Sequence, residues 1–564
     1  MKLNKEQYRA ASHISGPMLV LAGPGSGKTH LLVERIRIMI EEADIRPENI
    51  LVITFSRKAA REMQARFAKR VGNRSYPVTF GTFHAVFYNI LKQSDPDTKD
   101  LISEEQKNKY IRQAVLDTGA SSALAESEDD IERLTGLVSA YKNFGDDFFR
   151  LSYEGRAMDE QERDEFMAVC EKYGDMCRTS HVLDFDDMII QCRDLLYRHE
   201  SLLRRWQDKY RYILVDEFQD INDGQYAVLR LLAGDSMNVF AVGDDDQSIY
   251  AFRGARPELM KKFLHQYPGC RQVTLTMNYR CSENVIGAAD TLVRHNTDRL
   301  ERPIQRHLPS RAGGDVTIVC TENSEVQAAY VCDTIRDLMS GCGYRESDFA
   351  VLYRSDHCAK MFEKVAEERG LPLRISGRSG YVPKRIRIEE AYVRAREGTA
   401  NRADWFLIMN NSPRGLSREA LCNCDGDYIG AFRRYYANDP EGSHAVRDLE
   451  RTVATYMPED AVKTGAGSAS CVNVMTAHAS KGLEFKCVFI IGLQEGLFPH
   501  RKSILSGNEE EERRLMYVAM TRARERLYMC TIGTEHGKRP SRFAAEALEK
   551  RKYISDVLTL TRTY

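Results

Sequence analysis

The stretch Met18 to His30, read MLVLAGPGSGKTH, narrows the choice of fold more than any other part of the chain. Five mostly apolar residues, Met18 to Ala22, predict a buried strand, Gly23 to Gly27 a glycine-rich turn, and Lys28-Thr29 the opening of a helix. Strand, tight turn and helix together make a phosphate cradle. Within the loop Ala22-Gly23-Pro24-Gly25-Ser26-Gly27, the three glycines let backbone N–H groups approach an oligophosphate. The helix N-terminus adds its positive dipole end, Lys28 brings a point charge to the outer phosphates, and Thr29 offers its hydroxyl to Mg²⁺. Ala22 stands where the usual pattern has glycine, a departure such loops tolerate.

The neighbouring sequence extends this unit into a sheet. Leu32, Ile36, Met39 and Ile40 fall at helical spacing, and Ile50 to Phe55 reads as the next parallel strand, giving a βαβ unit. Further on, Tyr212 to Val215 reads as a strand with Asp216 and Glu217 at its carboxyl end. An acidic pair there is costly to bury without a cation, so Asp216 is a candidate Mg²⁺ ligand, and Glu217 can orient and deprotonate an attacking water. Val239 to Val242 is another strand, after which Gln247 is placed to sense a terminal phosphate. Near the N-terminus, Leu3 to Gln7 is too polar for core, and the Gln7 amide is able to read both edges of an adenine.

A formal net charge of -1 gives no global sign of a polyanion partner, so nucleic-acid contact has to come from local patches. One candidate is the basic helix Arg57 to Arg74, for which a merely solvated face is an equal reading. Phe55, Phe83 and His84 are expected at carboxyl ends of neighbouring strands, where open α/β sheets bind ligands. Tyr250, Phe252 and Arg253 follow Gln247 closely and would couple the phosphate sensor to a stacking surface. Aromatics beside a basic helix suit single-stranded nucleic acid, because every base has a face to stack.

Other features are less directive. Residues from about Leu91 to Arg193 lack strand signals and read as a helical insertion, with Leu183-Asp184-Phe185-Asp186-Asp187 near its end as a helix cap or motor contact rather than a metal site. Fourteen scattered cysteines without zinc spacing read as reduced thiols, Cys422 and Cys424 included, which points to a cytoplasmic protein. No run of eighteen apolar residues suggests a membrane span.

Together these stretches resemble the UvrD/Rep family of superfamily 1A DNA helicases. The resemblance continues in Thr274 to Arg280 (TLTMNYR), Val472 to Pro499 (VNVMTAHASKGLEFKCVFIIGLQEGLFP) and Glu510 to Leu527 (EEERRLMYVAMTRARERL). It implies that Tyr279 stacks on adenine, that Arg280 and Arg522 act as arginine fingers from the second motor domain, and that Glu484 bonds the ribose. It further implies that His478, with Thr476, links nucleic acid to the ATP cleft, and that Phe55, Phe83, His84, Tyr250, Phe252 and Arg253 contact DNA. Two departures bear on affinity: His30 follows the GKT where relatives often carry arginine against the adenine, and Phe252 stands where tryptophan is frequent.

The expected architecture is α/β: two RecA-like parallel-sheet P-loop motor domains, each with a mostly helical insertion. The expected parts are motor 1A (1–90 and 194–272), insertion 1B (91–193), motor 2A (273–383 and 464–564) and a reduced insertion 2B (384–463). Asn411 to Leu416 resembles the opening of 2B, Gly465 to Ser468 reads as a flexible link, and no room remains for an appended nuclease. The resemblance implies Mg-ATP-driven 3′ to 5′ movement on single-stranded DNA and unwinding at single-strand/duplex junctions, in repair, replication restart or recombination. The chain would act as a monomer or DNA-induced dimer, with a separately encoded nuclease or repair protein as partner. A translocase that strips proteins from DNA and an ATP switch serving a partner share the same motifs, and RNA stays open because stacking does not read the 2′-OH.

Overall fold

In the computed structural model the chain is described at residues 2–94, 98–120, 128–144, 148, 159–300, 302–303, 306–307, 314–376, 391–398, 400, 402–411, 417, 420, 427–455, 471–533 and 539–560. These residues fall into two compact units, 1–322 with 480–560, and 323–479.

The first unit holds a six-stranded parallel sheet in the spatial order Thr79–Thr82, Ile50–Thr54, Tyr212–Val215, Val239–Gly243, Met18–Ala22, Arg271–Leu275. Three of the central strands, Met18–Ala22, Ile50–Thr54 and Val239–Gly243, are buried along their whole length, which is why they read as continuous apolar runs rather than alternating ones. One face packs on Leu32, Ile36 and Met39 of the helix Lys28–Glu41, the other on Phe87, Ile90 and Phe263. The first two strands in sequence belong to one sheet without being neighbours: Met18–Ala22 pairs with Val239–Gly243 and Arg271–Leu275. Arg271–Leu275 crosses the expected 272/273 boundary and completes the first sheet.

Two details differ from expectation, one in the helical insertion and one in motor 1A. The strands Asp100–Leu101 and Val182–Leu183 pair in parallel, each too short to show as a period in the sequence. The basic helix ends at Arg70, where the chain reaches Gly72 and Asn73 in left-handed conformation. Asp184 caps the helix Phe185–Arg198 and, with Asp186 and Asp187, binds Lys107, Lys142 and Asn143.

The first unit also holds four parallel strands in the order Phe485–Ile490, Ala523–Ile532, Asp315–Thr321, Asp556–Leu560. The second unit has three, Leu373–Ile375, Val472–Thr476 and Phe349–Tyr353. It also has a helical core of Trp405, Ile408, Phe432 and Leu449 within the expected 2B interval. Cys422, Cys424, the link Gly465 to Ser468 and all of Asn411 to Leu416 but Asn411 lie outside the described residues. Among the described residues no helix is long and apolar enough to cross a membrane.

Candidate nucleotide and nucleic-acid site

The phosphate loop closes the strand Met18–Ala22, and the helix begins at Lys28 with Gly27 as its N-cap. Gly25 and Gly27 have φ of +67° and +84°, so the loop needs glycine there; a Cβ on Gly25 would also sit 2.5 Å from Cβ of Arg280. The Lys28 ammonium lies 3.3 Å from Oε2 of Glu217, which follows the strand Tyr212–Val215 by two residues and has φ +52°. A non-glycine residue held in that conformation marks a constrained position. Burial disfavours charge on Lys28, but Glu217, Asp244 and Asp216 outweigh it and raise its pKa.

The acidic pair splits in its titration. Burial, then the neighbouring Glu217, pushes Asp216 up to about 7. Burial also works against Glu217, yet Lys28 and Lys481 prevail and hold it at about 2. One carboxylate is therefore an ionised acceptor facing the phosphate lysine, and the other is a buried group whose charge calls for a cation. That environment fits a divalent ion at Asp216 with Thr29 nearby in the motif. Among the described residues no group of three or more His, Cys, Asp or Glu could hold a metal ion, so such an ion would draw most of its oxygens from phosphate and water.

Several expected residues are brought to this loop with different partners from those anticipated. Gln7 is buried rather than part of a solvated lead-in: it lies on the helix Lys5–Ala11, where its Oε1 accepts the Asn4 N–H (3.0 Å) and its Nε2 donates to Ser26 O (2.9 Å). Its amide therefore braces the phosphate loop with one N–H and one oxygen lone pair. Gln247 is buried and donates to Oδ2 of Asp244, whose other oxygen accepts from Arg302 at 2.5 Å. The Tyr279 hydroxyl accepts from Asn4 Nδ2 (2.8 Å), and the Tyr279 N–H donates to Gly25 O (2.8 Å). Arg280 Nε donates to Glu484 Oε2 (2.9 Å), which ties the expected finger to the expected ribose ligand. His30 has a buried Nε2 without a hydrogen-bond partner.

Arg522 is buried and bonded within the protein, close enough to Arg280 and Glu217 to feel both charges. It is 1% exposed, with Nε on Val518 O (2.9 Å), one terminal nitrogen on Leu483 O (3.1 Å) and the other on Thr521 Oγ1 (3.3 Å). Burial, then the charge of Arg280, lowers its pKa to about 9, which leaves it a cation at neutral pH.

The stacking residues divide. Phe55 and Tyr250 lie face to face (4.9 Å, 10° between planes), Phe252 stands edge-on to Tyr250 (5.9 Å), and Phe252 is 60% exposed. These three form an open aromatic platform, with the Lys481 ammonium 4.9 Å from the Tyr250 ring. Phe83 is a correction: it starts the helix Phe83–Ser94 and points into the core against Phe87, so no base reaches its face. His84 packs edge-on to Phe185, and burial lowers its pKa. Arg253 ends the short turn Ala251–Arg253, and its side chain lies outside the described set. His478 follows the strand Val472–Thr476 in the second unit.

Three residues that the sequence reading did not single out join these parts. The buried Asn278 donates to Pro24 O (2.8 Å) and accepts the N–H groups of Arg280 and Cys281 (2.8 Å each). Lys481 donates to Asp220 Oδ2 (2.5 Å) and to Gln247 O (2.8 Å). Arg302 pairs with Asp244, Asp245 and Asp246. Asn278 and Lys481 stand inside the quoted motifs, which was the available signal; Arg302 carried none.

Comparison with known proteins accounts for this assembly. Residues 3–268 match the UvrD/REP helicase N-terminal domain, and residues 273–421 and 434–534 the UvrD-like helicase C-terminal domain. The chain is 29% identical to the ATP-dependent DNA helicase Rep of Escherichia coli (strain K12), over 97% of this chain and 94% of that one. It is 28% identical to DNA helicase II of the same organism (97% and 88%) and 28% identical to the ATP-dependent DNA helicase PcrA of Leuconostoc citreum (96% and 84%). With two parallel-sheet motor domains and both halves of the family signature in order, the chain belongs to the UvrD/Rep family of ATP-dependent DNA helicases.

Proposed function

We propose that the chain couples Mg-ATP hydrolysis to 3′ to 5′ movement along single-stranded DNA and to duplex separation at single-strand/duplex junctions. The observation that carries this reading is the proximity of two sites: Lys481 bonds Asp220 and the Gln247 carbonyl beside the nucleotide loop while its ammonium lies against the Tyr250 ring of the aromatic platform. In this reading Lys28 and the loop Ala22 to Thr29 hold the phosphates, Thr29 and Asp216 hold Mg²⁺, and Tyr279, His30 and Gln7 line the base. Glu217 receives the proton of the attacking water. Arg280 and Arg522 meet the charge that develops on the γ-phosphate, where positive charge stabilises the transition state more than the ground state. Mg²⁺, when bound, neutralises phosphate charge; the chain's own contribution is placement.

Phe55, Tyr250 and Phe252 grip successive bases, with His84, Arg253 and His478 assigned to the same path by family resemblance. The proposed parts are motor 1A (1–90, 194–275, so that it keeps the strand Arg271–Leu275), 1B (91–193), motor 2A (276–383, 464–564) and 2B (384–463). Direction, Mg²⁺ and a role in repair, replication restart or recombination rest on kinship with the helicases above.

The test measures ATPase rate with single-stranded DNA, duplex and RNA side by side, then unwinding of 3′- and 5′-tailed duplexes. Stimulation by single strands and opening of the 3′-tailed substrate alone are expected, both abolished by Glu217→Gln. Turnover indifferent to polynucleotide, or preferential opening from a 5′ tail, would refute the assignment.

A further inference from the structure

The turn that carries the aromatic platform is held at a second point, far from the nucleotide loop in sequence. The carboxylate of Glu511 accepts the backbone N–H of Ala251 (2.9 Å), the residue between Tyr250 and Phe252. Glu511 lies in the first turn of the helix Glu509–Met520, and Arg522 follows the other end of that helix by two residues. Twelve residues of α-helix span about 18 Å. Every residue from Glu512 to Met520 is buried, so the helix is packed along its length and forms one stiff element.

Its first turn grips three different segments. Glu510 accepts the Thr297 N–H (2.7 Å) and hydroxyl (2.8 Å), Glu512 accepts the His500 N–H (3.0 Å), and Glu511 holds the turn of the base platform. At the far end Arg522 rests on backbone carbonyls of Val518 and Leu483. One rigid element thus has the stacking turn at its head and the carbonyl-bound Arg522 at its tail.

We propose that Glu511 is a positioning residue that couples occupancy of the aromatic platform to delivery of Arg522. A base settling on Phe252 shifts the Ala251 N–H, the shift passes through the Glu511 carboxylate to the helix, and the helix draws Arg522 off the Leu483 carbonyl, its one partner outside that element, toward the phosphates. The inference rests on the DNA-dependent reading above and adds the route by which the polymer is felt.

The test uses the full chain and steady-state ATP hydrolysis with and without oligo(dT), comparing wild type, Glu511→Ala and Glu511→Gln. For Glu511→Ala, the unstimulated kcat, the KM for ATP and oligo(dT) affinity are expected within about twofold of wild type, while the stimulated kcat falls at least about fivefold, the scale of a modest coupling free energy. Glu511→Gln keeps an acceptor oxygen and is expected to restore most of the stimulation. A purely structural role would lower stimulated and unstimulated rates together. That result, full stimulation in Glu511→Ala, or failure of Glu511→Gln to rescue would overturn the coupling. A wild-type chain that oligo(dT) does not stimulate would overturn the functional reading with it, which separates the two failures.

Discussion

Lys28 and Glu217 face one another across 3.3 Å, so the charge that will grip phosphate is already paired with the carboxylate assigned to the water. In the proposed reading, arriving phosphate competes with Glu217 for the ammonium, which frees the carboxylate when substrate is in place. Arg522 is expected to matter later: Arg522→Ala should retain nucleotide binding in a titration with a fluorescent ATP analogue and lose turnover, on the order of 10³-fold for an arginine finger. Loss of binding with turnover intact would contradict that assignment. On the polymer side, Phe252→Ala removes one exposed ring and should weaken oligo(dT) binding by about 1 to 3 kcal/mol, read by anisotropy. Phe83→Leu, by contrast, should leave that affinity unchanged because the ring packs on Phe87. The sequence made Phe55, Tyr250 and Phe252 legible as aromatics near strand ends. It misled at Phe83, because an aromatic that opens a helix looks the same whether its ring turns outward or into the core.

At the scale of elements, the strands Met18–Ala22, Ile50–Thr54, Tyr212–Val215 and Val239–Gly243 were readable to within a residue, since parallel strands buried on both faces are mostly apolar, whereas the partly exposed edge strand Arg271–Leu275 was not. The helix Lys5–Ala11 was not, because its amphipathic signal is short and its buried member is Gln7, a polar residue whose burial depends on tertiary partners. The insertion is joined to the first sheet's helices by Asp184, 1% exposed, which accepts Lys142 Nζ (2.8 Å) and the Tyr173 hydroxyl (3.0 Å) and lies 3.6 Å from Lys107. Burial pushes its pKa up, but Lys142 and Lys107 outweigh this and hold it at about 2, below the ordinary 3.8. A depressed carboxylate contributes stability that is fully present above pH 3.8 and is lost as pH falls through about 2. Asp184→Asn is therefore expected to cost about 2 to 3 kcal/mol at neutral pH, with the gap to wild type narrowing below pH 3.8, to about half by pH 3, and closing as pH falls through about 2. Asp187, whose pKa is raised by burial and by Asp184, gains from the same change and offsets part of the loss. Urea unfolding at pH 7 and pH 3 measures both; an equal gap at the two values would show that the carboxylate's charge is not the cause.

For the whole molecule, the motifs order the chain but their mutual bonds set how it responds to ligand. Asn278 joins Pro24 of the phosphate loop to the backbone of Arg280, and Lys481 joins Asp220 to Gln247, links of more than two hundred residues in sequence that no local pattern foretells. A non-hydrolysable ATP analogue at about 100 times its Kd should therefore stabilise the first unit as one body, by about 2.7 kcal/mol. Thermal unfolding should show a single shifted transition in wild type and Glu217→Gln, and no shift in Lys28→Ala. The resting place of Arg522 has its own meaning for the living system. With its guanidinium satisfied by Val518, Leu483 and Thr521, an Arg522 acting as the proposed finger would leave a fuel-loaded motor at rest. On the proposed assignment of Arg522, idling is built into the ground state, and a strand to walk on becomes the ignition.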